Sequence, residues 1–356
     1  MYNILNNREG GVQTMIEEIN EEYNDFQQVF EGKREPKAEN AFEQFVKAFK
    51  DGNVGLALKI YDENLLQTNV MLTYRYRNDD TGKYDGTMAL QEPLLHTLIW
   101  HIDPTNENQI EILTRIIKNP KNENINLRST RGADVDYDNN NANTLMAAID
   151  RNIPSIISAI LSRDDVDVYA EENTYDAMQV RYNSTAFVKA LEKAEKGELE
   201  PLYLLIKSGK IDLNHPMTEK ITRPYIDLLK ENKEKIEKGV AAKLKQYEPD
   251  PKKVAELQEL EKKAKAAAGV IKPVEPKKPL LFGKKQYDAK MKEYEKQSRE
   301  YMSARKDIHD FEAAKQEIDA QQQVYDAKRE ELGRLFRVID DATKEPLKVS
   351  SKPREV

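Results

Sequence analysis

The residues with the most obvious chemical potential in this chain are scattered, and each cluster misses the spacing its chemistry requires. Asp134-Val135-Asp136-Tyr137-Asp138 opens like a calcium loop, in which alternate oxygens wrap a cation around a tight glycine turn. Asn139 stands where that glycine belongs, and Leu145 replaces the closing glutamate. Ser208-Gly209-Lys210 ends like a phosphate loop, but Leu204 occupies the place of its first glycine, so the segment reads as a helix terminus. His96, His101, His215 and His309 lie far apart, with no Ser or Asp partner at a triad spacing. His96 is expected to satisfy backbone groups between structural units. The absence of cysteine removes disulfides, thiol nucleophiles and thiolate zinc sites together. Asn183-Ser184-Thr185 is a glycosylation sequon by spelling only. No catalytic residue, metal ligand or cofactor site is therefore expected, and an enzyme with a cryptic, nonlocal site ranks third among the functional readings.

Binding chemistry is better represented. Leu72-Thr73-Tyr74-Arg75-Tyr76-Arg77 alternates as a strand does, Asn78-Asp79-Asp80-Thr81-Gly82 is a turn signal, and Lys83-Tyr84 resumes the strand. The pattern predicts a hairpin finger, with residues 131–141 and 169–183 in equivalent positions. Tyrosine supplies rigid amphipathic area and arginine planar charged hydrogen bonding, which is why both are enriched in interface hot spots. Tyr74, Tyr76, Arg77, Tyr84, Arg131, Tyr137, Tyr175, Arg181 and Tyr182 are accordingly the expected partner-binding residues. The competing reading is that these tyrosines pack between neighbouring fingers.

The elements that would position them repeat. Ile125-Asn126-Leu127-Arg128, Val166-Asp167-Val168-Tyr169 and Ile211-Asp212-Leu213-Asn214 recur at intervals of 41 and 45 residues, each after an apolar helical run. Such recurrence signals a stack in which no unit buries its apolar face alone. Phe45, Ala48 and Phe49 precede Gly52, and Leu145, Ala148 and Ile149 precede Asn152, so both helices are expected to end on a left-handed residue four positions after an alanine. Leu95, Leu98 and Ile99 precede a loop containing Pro104, while Phe187, Ala190 and Leu191 precede Gly197.

These units resemble divergent ankyrin repeats, a family whose repeat opens on Thr-Pro-Leu-His-x-Ala and turns at a glycine. Its second helix ends before a Gly-Ala-Asp-Val-Asn-like stretch. Leu95-His96-Thr97-Leu98 and Asn143-Thr144-Leu145-Met146-Ala147-Ala148 are similar to the opening, and Leu205-Ile206-Lys207-Ser208-Gly209-Lys210-Ile211-Asp212-Leu213-Asn214 to the ending. The likeness covers residues 41–215, with insertions at 103–108 and 192–196 that exceed the family's usual period of about 33. It implies an all-α fold, an ankyrin-like helix-pair solenoid with projecting fingers, whose fingers and inner helices line a binding face.

The texture changes near residue 218. Residues 1–40 are expected to form an N-terminal capping segment with a helix over 12–30, residues 41–217 the repeat domain, and residues 218–269 capping and charged helices. Ile221, Tyr225, Leu228 and Leu229 are expected to seal the last repeat. Residues 270–285 read as a proline-containing connector whose Leu280-Leu281-Phe282 docks on a neighbouring helix. Residues 286–340 read as a coiled-coil-like helix of about 80 Å, and residues 341–356 as a polar tail. Tyr287, Met291, Tyr294, Tyr301, Ile308, Phe311, Ile318, Tyr325, Leu332, Leu335 and Ile339 form its seam, interrupted by Ser298, Arg305, Gln322 and Arg329. That seam fits a second copy, an antiparallel fold-back on residues 221–268, or a lone strut.

With 33% charged residues, a mean hydropathy of -0.79 and a net charge of -7, the chain has little material for two large cores and is ill suited to nucleic acid. No apolar run approaches the ~20 residues needed to span a bilayer, and no cleavable signal peptide is recognisable. The expected location is cytoplasmic, or a host cytosol reached by export. Divergent repeats, Lys/Glu/Asn-rich composition and a coiled-coil arm are together similar to ankyrin-containing effectors secreted by intracellular bacteria such as Legionella, and the tail around 330–345 is compatible with a type IV signal. The resemblance implies capture of a host protein. The alternative is a structural or scaffold component using the long helix as a strut.

Overall fold

The structure is a computed structural model that describes residues 28–38, 40–64, 71–77, 84–120, 125–128, 130–131, 142–175, 181–217, 221–278 and 284–344. Most of the helix expected over 12–30 and the apolar triplet Leu280-Leu281-Phe282 lie outside them. The chain divides into one unit formed by residues 1–240 with 335–356 and a second formed by residues 241–334.

The first unit is mostly helical, in the order α1 (Ala41–Lys50), α2 (Val54–Asn64), β1 (Met71–Arg77), β2 (Tyr84–Pro93), α3 (Leu94–His101), α4 (Glu107–Lys118), β3 (Thr130–Arg131), α5 (Thr144–Asp150), α6 (Pro154–Leu161), β4 (Glu171–Tyr175), β5 (Arg181–Thr185), α7 (Ala186–Ala194) and α8 (Glu200–Lys207). Polar side chains start several of these helices by accepting from free first-turn amides: Asn40 from Glu43, Asn106 from Gln109, Asn143 from Met146 and Thr185 from Val188. Left-handed residues stop three of the first helices, since Gly52, Asn152 and Gly197 have φ of 65°, 50° and 81°. The next amide then reaches back to the carbonyl five residues earlier, as Asn53 does to Ala48, Ile153 to Ala148 and Glu198 to Lys193. The turns at Gly52 and Asn152 are the two that the sequence pattern predicts.

Helices α1 and α2, α5 and α6, and α7 and α8 pack as pairs. First helices then lie on first helices, α3 on α5 and α5 on α7, while second helices follow α2, α4, α6, α8. The buried layer between them, including Phe45, Phe49, Leu98, Ile112, Ile157, Phe187 and Leu205, is apolar and fully enclosed.

The three recurring phrases occupy equivalent places and bond to one another. Asn126 accepts from the Asp167 amide at 2.7 Å and donates to the Asp165 carbonyl, and Arg128 pairs with Asp167 at 3.4 Å. One unit further on, the Tyr169 hydroxyl accepts from the Asp212 amide at 2.7 Å. A second ladder closes the second helices: Arg163 donates to the Ile117 carbonyl at 2.9 Å, and Lys210 donates to that of Arg163 at 2.7 Å.

The fold is not purely helical. β1 and β2 form the expected antiparallel finger, but β3 adds to it, pairing Leu90 with Arg131, while β4 and β5 form a separate hairpin. No helix among the described residues is long and apolar enough to cross a membrane.

Beyond α8 the unit is sealed by α9 (Tyr225–Lys245). Tyr225 and Leu229 are buried as expected, but Ile221 is 42% exposed and Ile226 takes its place in the core. Ile221 precedes the first turn of α9, where the helical period that buries Tyr225, Ile226 and Leu229 does not reach. The Tyr225 hydroxyl lies 3.2 Å from that of Thr185, and burial pushes its pKa up to about 12. Gly239 marks the closest approach: a Cβ there would fall on the Glu195 carbonyl and 2.8 Å from the Gly197 amide nitrogen. From this same unit's far segment, Leu335, Ile339 and Ala342 are buried, and Lys233 pairs with Asp340.

In the second unit α10 (Pro251–Ala267) is followed by the connector and by α11 (Lys284–Lys344), whose residues up to 334 belong here. Lys253 of α10 pairs with Glu317 of α11, and Ala264, Ala267 and Ala304 are buried. The expected apolar seam from Tyr287 to Ile339 is partly or fully covered at every named position, but the positions between them differ from the expectation. Arg305, Gln322 and Arg329 are exposed, while Ala304, Gln321 and Lys328 are partly or fully covered. Tyr301 to Ala304 is a step of three where a strict heptad demands four, which moves the cover from Arg305 to Ala304 before the seam resumes at Ile308.

Two measurements test this packing. Gly→Ala inside a helix normally stabilises by about 1 kcal/mol, but Gly239→Ala should destabilise by about 1–3 kcal/mol from overpacking; a variant melting above the parent would refute the contact. Spin labels at Leu257 and Ala314 should report intramolecular proximity independent of protein concentration, and proximity that grows with concentration would assign the arm to an intermolecular coiled coil.

Candidate functional site

Each finger hands its second strand directly to the first helix of the next pair. Pro93 ends β2 where α3 begins, and Thr185 ends β5 and caps α7. Residues near the fingers and the exposed side of α3, α5 and α7 are thus held by one set of elements.

Register settles which expected binding residues meet. Arg77 lies opposite Tyr84, Tyr175 opposite Arg181, and Tyr182 opposite Thr174, so Tyr and Arg are cross-strand neighbours in both hairpins. Tyr74 lies opposite Leu90, and Arg131 opposite the same Leu90 from the other side, which brings them to one sheet. The β1–β2 register shifts between Arg75 and Arg77, placing Tyr76 at an irregularity. Tyr137 and the acidic run 134–138 lie outside the described residues. Ser208-Gly209-Lys210 is a helix end: Gly209 has a φ of 66°, and the Ser208 hydroxyl accepts from the Lys210 amide at 3.2 Å. His96 is buried within α3 and interacts with the Leu127 backbone; burial holds its pKa at about 3, so it is neutral.

Two features on the first helices lie outside the expected set. Trp100, the single tryptophan, is 42% exposed at the end of α3, with the Arg151 guanidinium 5.9 Å from its ring centroid. Arg151 also donates to the Ile102 carbonyl at 3.2 Å, which fixes it between two pairs. This is a cation–π contact on a partly wet surface. The sequence did hold a signal for it, because Leu95, Leu98 and Ile99 complete the buried stripe and leave Trp100 outside.

The second feature is a buried charge cluster. Lys189 of α7 reaches Asp150 of α5 at 2.8 Å and Glu172 of β4 at 2.6 Å, with Glu172 almost fully enclosed. Burial pushes the Glu172 carboxyl above its ordinary value, and the nearby lysine only partly reverses this. Burial opposes the Lys189 charge as well, but the two carboxylates outweigh it and raise its pKa. The Lys189 ammonium neutralises both carboxylates, although Glu172 Oε2 is buried without a well-aligned hydrogen bond. The cluster is a clamp between a finger and two helices. Sequence periodicity could not reveal it, since its members come from positions 150, 172 and 189. Comparison with protein-family models, curated proteins and solved structures finds no match.

Replacing Lys189 by Met leaves Glu172 buried without its counter-ion and should cost about 3–5 kcal/mol near neutral pH. With its folded pKa raised further, Glu172 binds a proton more readily folded than unfolded, so the deficit should shrink as pH falls from about 8 to about 5. Urea melts across that range check it, and a deficit independent of pH would show that charge burial is not the cause.

Proposed function

We propose that this chain is a non-catalytic protein-binding module, an ankyrin-like solenoid that captures another protein across its fingers and first helices. The observation that carries the reading is the exposed, arginine-stacked Trp100 at the end of a first helix. Tryptophan and arginine dominate interface hot spots, because a large ring beside a charged planar group gains most when a partner excludes water. Paired Tyr and Arg positions in the hairpins extend the same chemistry outward. Buried charge is used up in the Lys189 clamp, and His96 is neutral and enclosed, which favours recognition over proton transfer. The resemblance to effectors of intracellular bacteria suggests a host protein as the partner, met in the host cytosol after export.

A second reading is favoured by one observation. α11 is a single helix of 61 residues, long enough to act as a strut in a larger assembly. Leu332, Leu335 and Ile339 of its seam are buried, which leaves less apolar surface at that end for a second copy.

Affinity purification with mass spectrometry separates these readings when full-length protein is compared with Trp100→Ala, with Tyr76→Ala combined with Arg77→Ala, and with a chain in which residues 250–334 are replaced by a flexible linker, which keeps α9 and the segment 335–344 that seal the first unit. Binding through the solenoid predicts a protein retained by the linker chain and lost from both point variants, with melting temperatures of the point variants nearly unchanged. A partner retained by the point variants but lost from a folded linker chain would support the strut.

A further inference from the structure

We propose that residues 270–278 form a ligand for a polyproline-reading groove on another protein, one with aromatic walls and an acidic rim. The segment lies between α10 and α11 and has no regular secondary structure. Its sequence, Val270-Ile271-Lys272-Pro273-Val274-Glu275-Pro276-Lys277-Lys278, is followed by Pro279 and so carries proline at every third position. Each proline fixes its own φ, and its ring drives the preceding residue, Lys272, Glu275 or Lys278, out of the helical region. The covalent chain therefore favours polyproline geometry, in which residues three apart share one side.

Exposure follows that three-fold period. Pro273 and Pro276 are half-buried, while Ile271 and Val274 are 86% and 88% exposed, the most exposed large aliphatics among the described residues. An aliphatic pair presented to water at this level gains nothing for the fold, and in isolation each side chain favours burial by about 1.5–3 kcal/mol. Because the segment is already restricted, a groove that accepts it loses little conformational entropy, which is the advantage of proline-rich ligands.

Charge selects among the surfaces that could cover it. Lys272, Lys277 and Lys278, with Lys284 and Lys285 at the start of α11, are all exposed against the single carboxylate of Glu275, in a chain whose net charge is -7. The same segment of a second copy, meeting it across a two-fold axis, would bring lysine against lysine. A groove rimmed by carboxylates matches, and aromatic walls are what take up aliphatic and proline rings spaced by one polyproline turn. An anionic membrane shares the charge preference but has no use for the three-residue period.

The test presents full-length protein to a panel of recombinant SH3, WW and EVH1 domains and, separately, to phosphatidylserine vesicles. At least one domain should bind in the micromolar range. Ile271→Ser with Val274→Ser should weaken that binding by about tenfold or more, as should Pro273→Ala with Pro276→Ala, since each pair removes a central contact or its preorganisation. Both variants should keep the parent's helix content and melting temperature. Binding by no member of the panel, or binding indifferent to the Ile271 and Val274 pair, overturns the proposal. Vesicle binding lost with that pair, in the absence of any domain binding, replaces it with a lipid surface.

Discussion

A hydrogen bond from the backbone amide of one phrase to a side chain of the phrase before it sets the frame for the first unit. Asn126 receives the Asp167 amide, and Tyr169 receives the Asp212 amide, each at 2.7 Å. Part-buried amides favour a hydrogen-bond partner, and here a side chain of the neighbouring phrase supplies it. These contacts, with Arg163 and Lys210 on the carbonyls that end α4 and follow α6, fix how far one pair stands from the next. Apolar burial supplies the driving force, but it is non-directional and would tolerate sliding. Directional bonds select one spacing.

The turn at 103–106 and the hairpins join these elements without contributing to the amide bonds between phrases. Asp103 and Asn106 organise the turn between α3 and α4 locally, accepting from Thr105 and from Gln109, while Gln109 itself bridges to the Lys50 carbonyl at 2.8 Å. The units diverge in length while sharing one mode of attachment.

The two regions use charge in opposite ways. Around Lys189, the ammonium and the Glu172 carboxylate are largely drawn out of water beside a part-exposed Asp150, and geometry must compensate for lost hydration. Along α10 and α11 charges stay wet, as in Lys262 with Glu259 and Lys265 with Glu261, and such pairs chiefly keep a helix soluble. The exposed Ile271 and Val274 depart from this pattern: they interrupt an otherwise charged surface and sit where proline, rather than packing, determines the backbone.

Much of the local structure was legible in the sequence. The phrases, the apolar stripes of the helix pairs, the left-handed Asn152 and the strand over 72–77 all follow from periods and turn chemistry encoded within a few residues. So does the long final helix, which no proline interrupts. Tertiary structure decided the rest. Which Tyr faces which Arg depends on hairpin register, and β3 joins the first finger through a pairing distant in sequence. Ile221 lost its expected place to Ile226, and the arm's seam shifted from Arg305 to Ala304, because the surface a helix meets selects among stripes that sequence leaves nearly equivalent. Glu172 and Lys189 are ordinary surface residues in the sequence; only the approach of a finger to two helices makes them a buried pair. Periodicity determines what each element must hide, whereas the contact between elements distant along the chain determines where it is hidden.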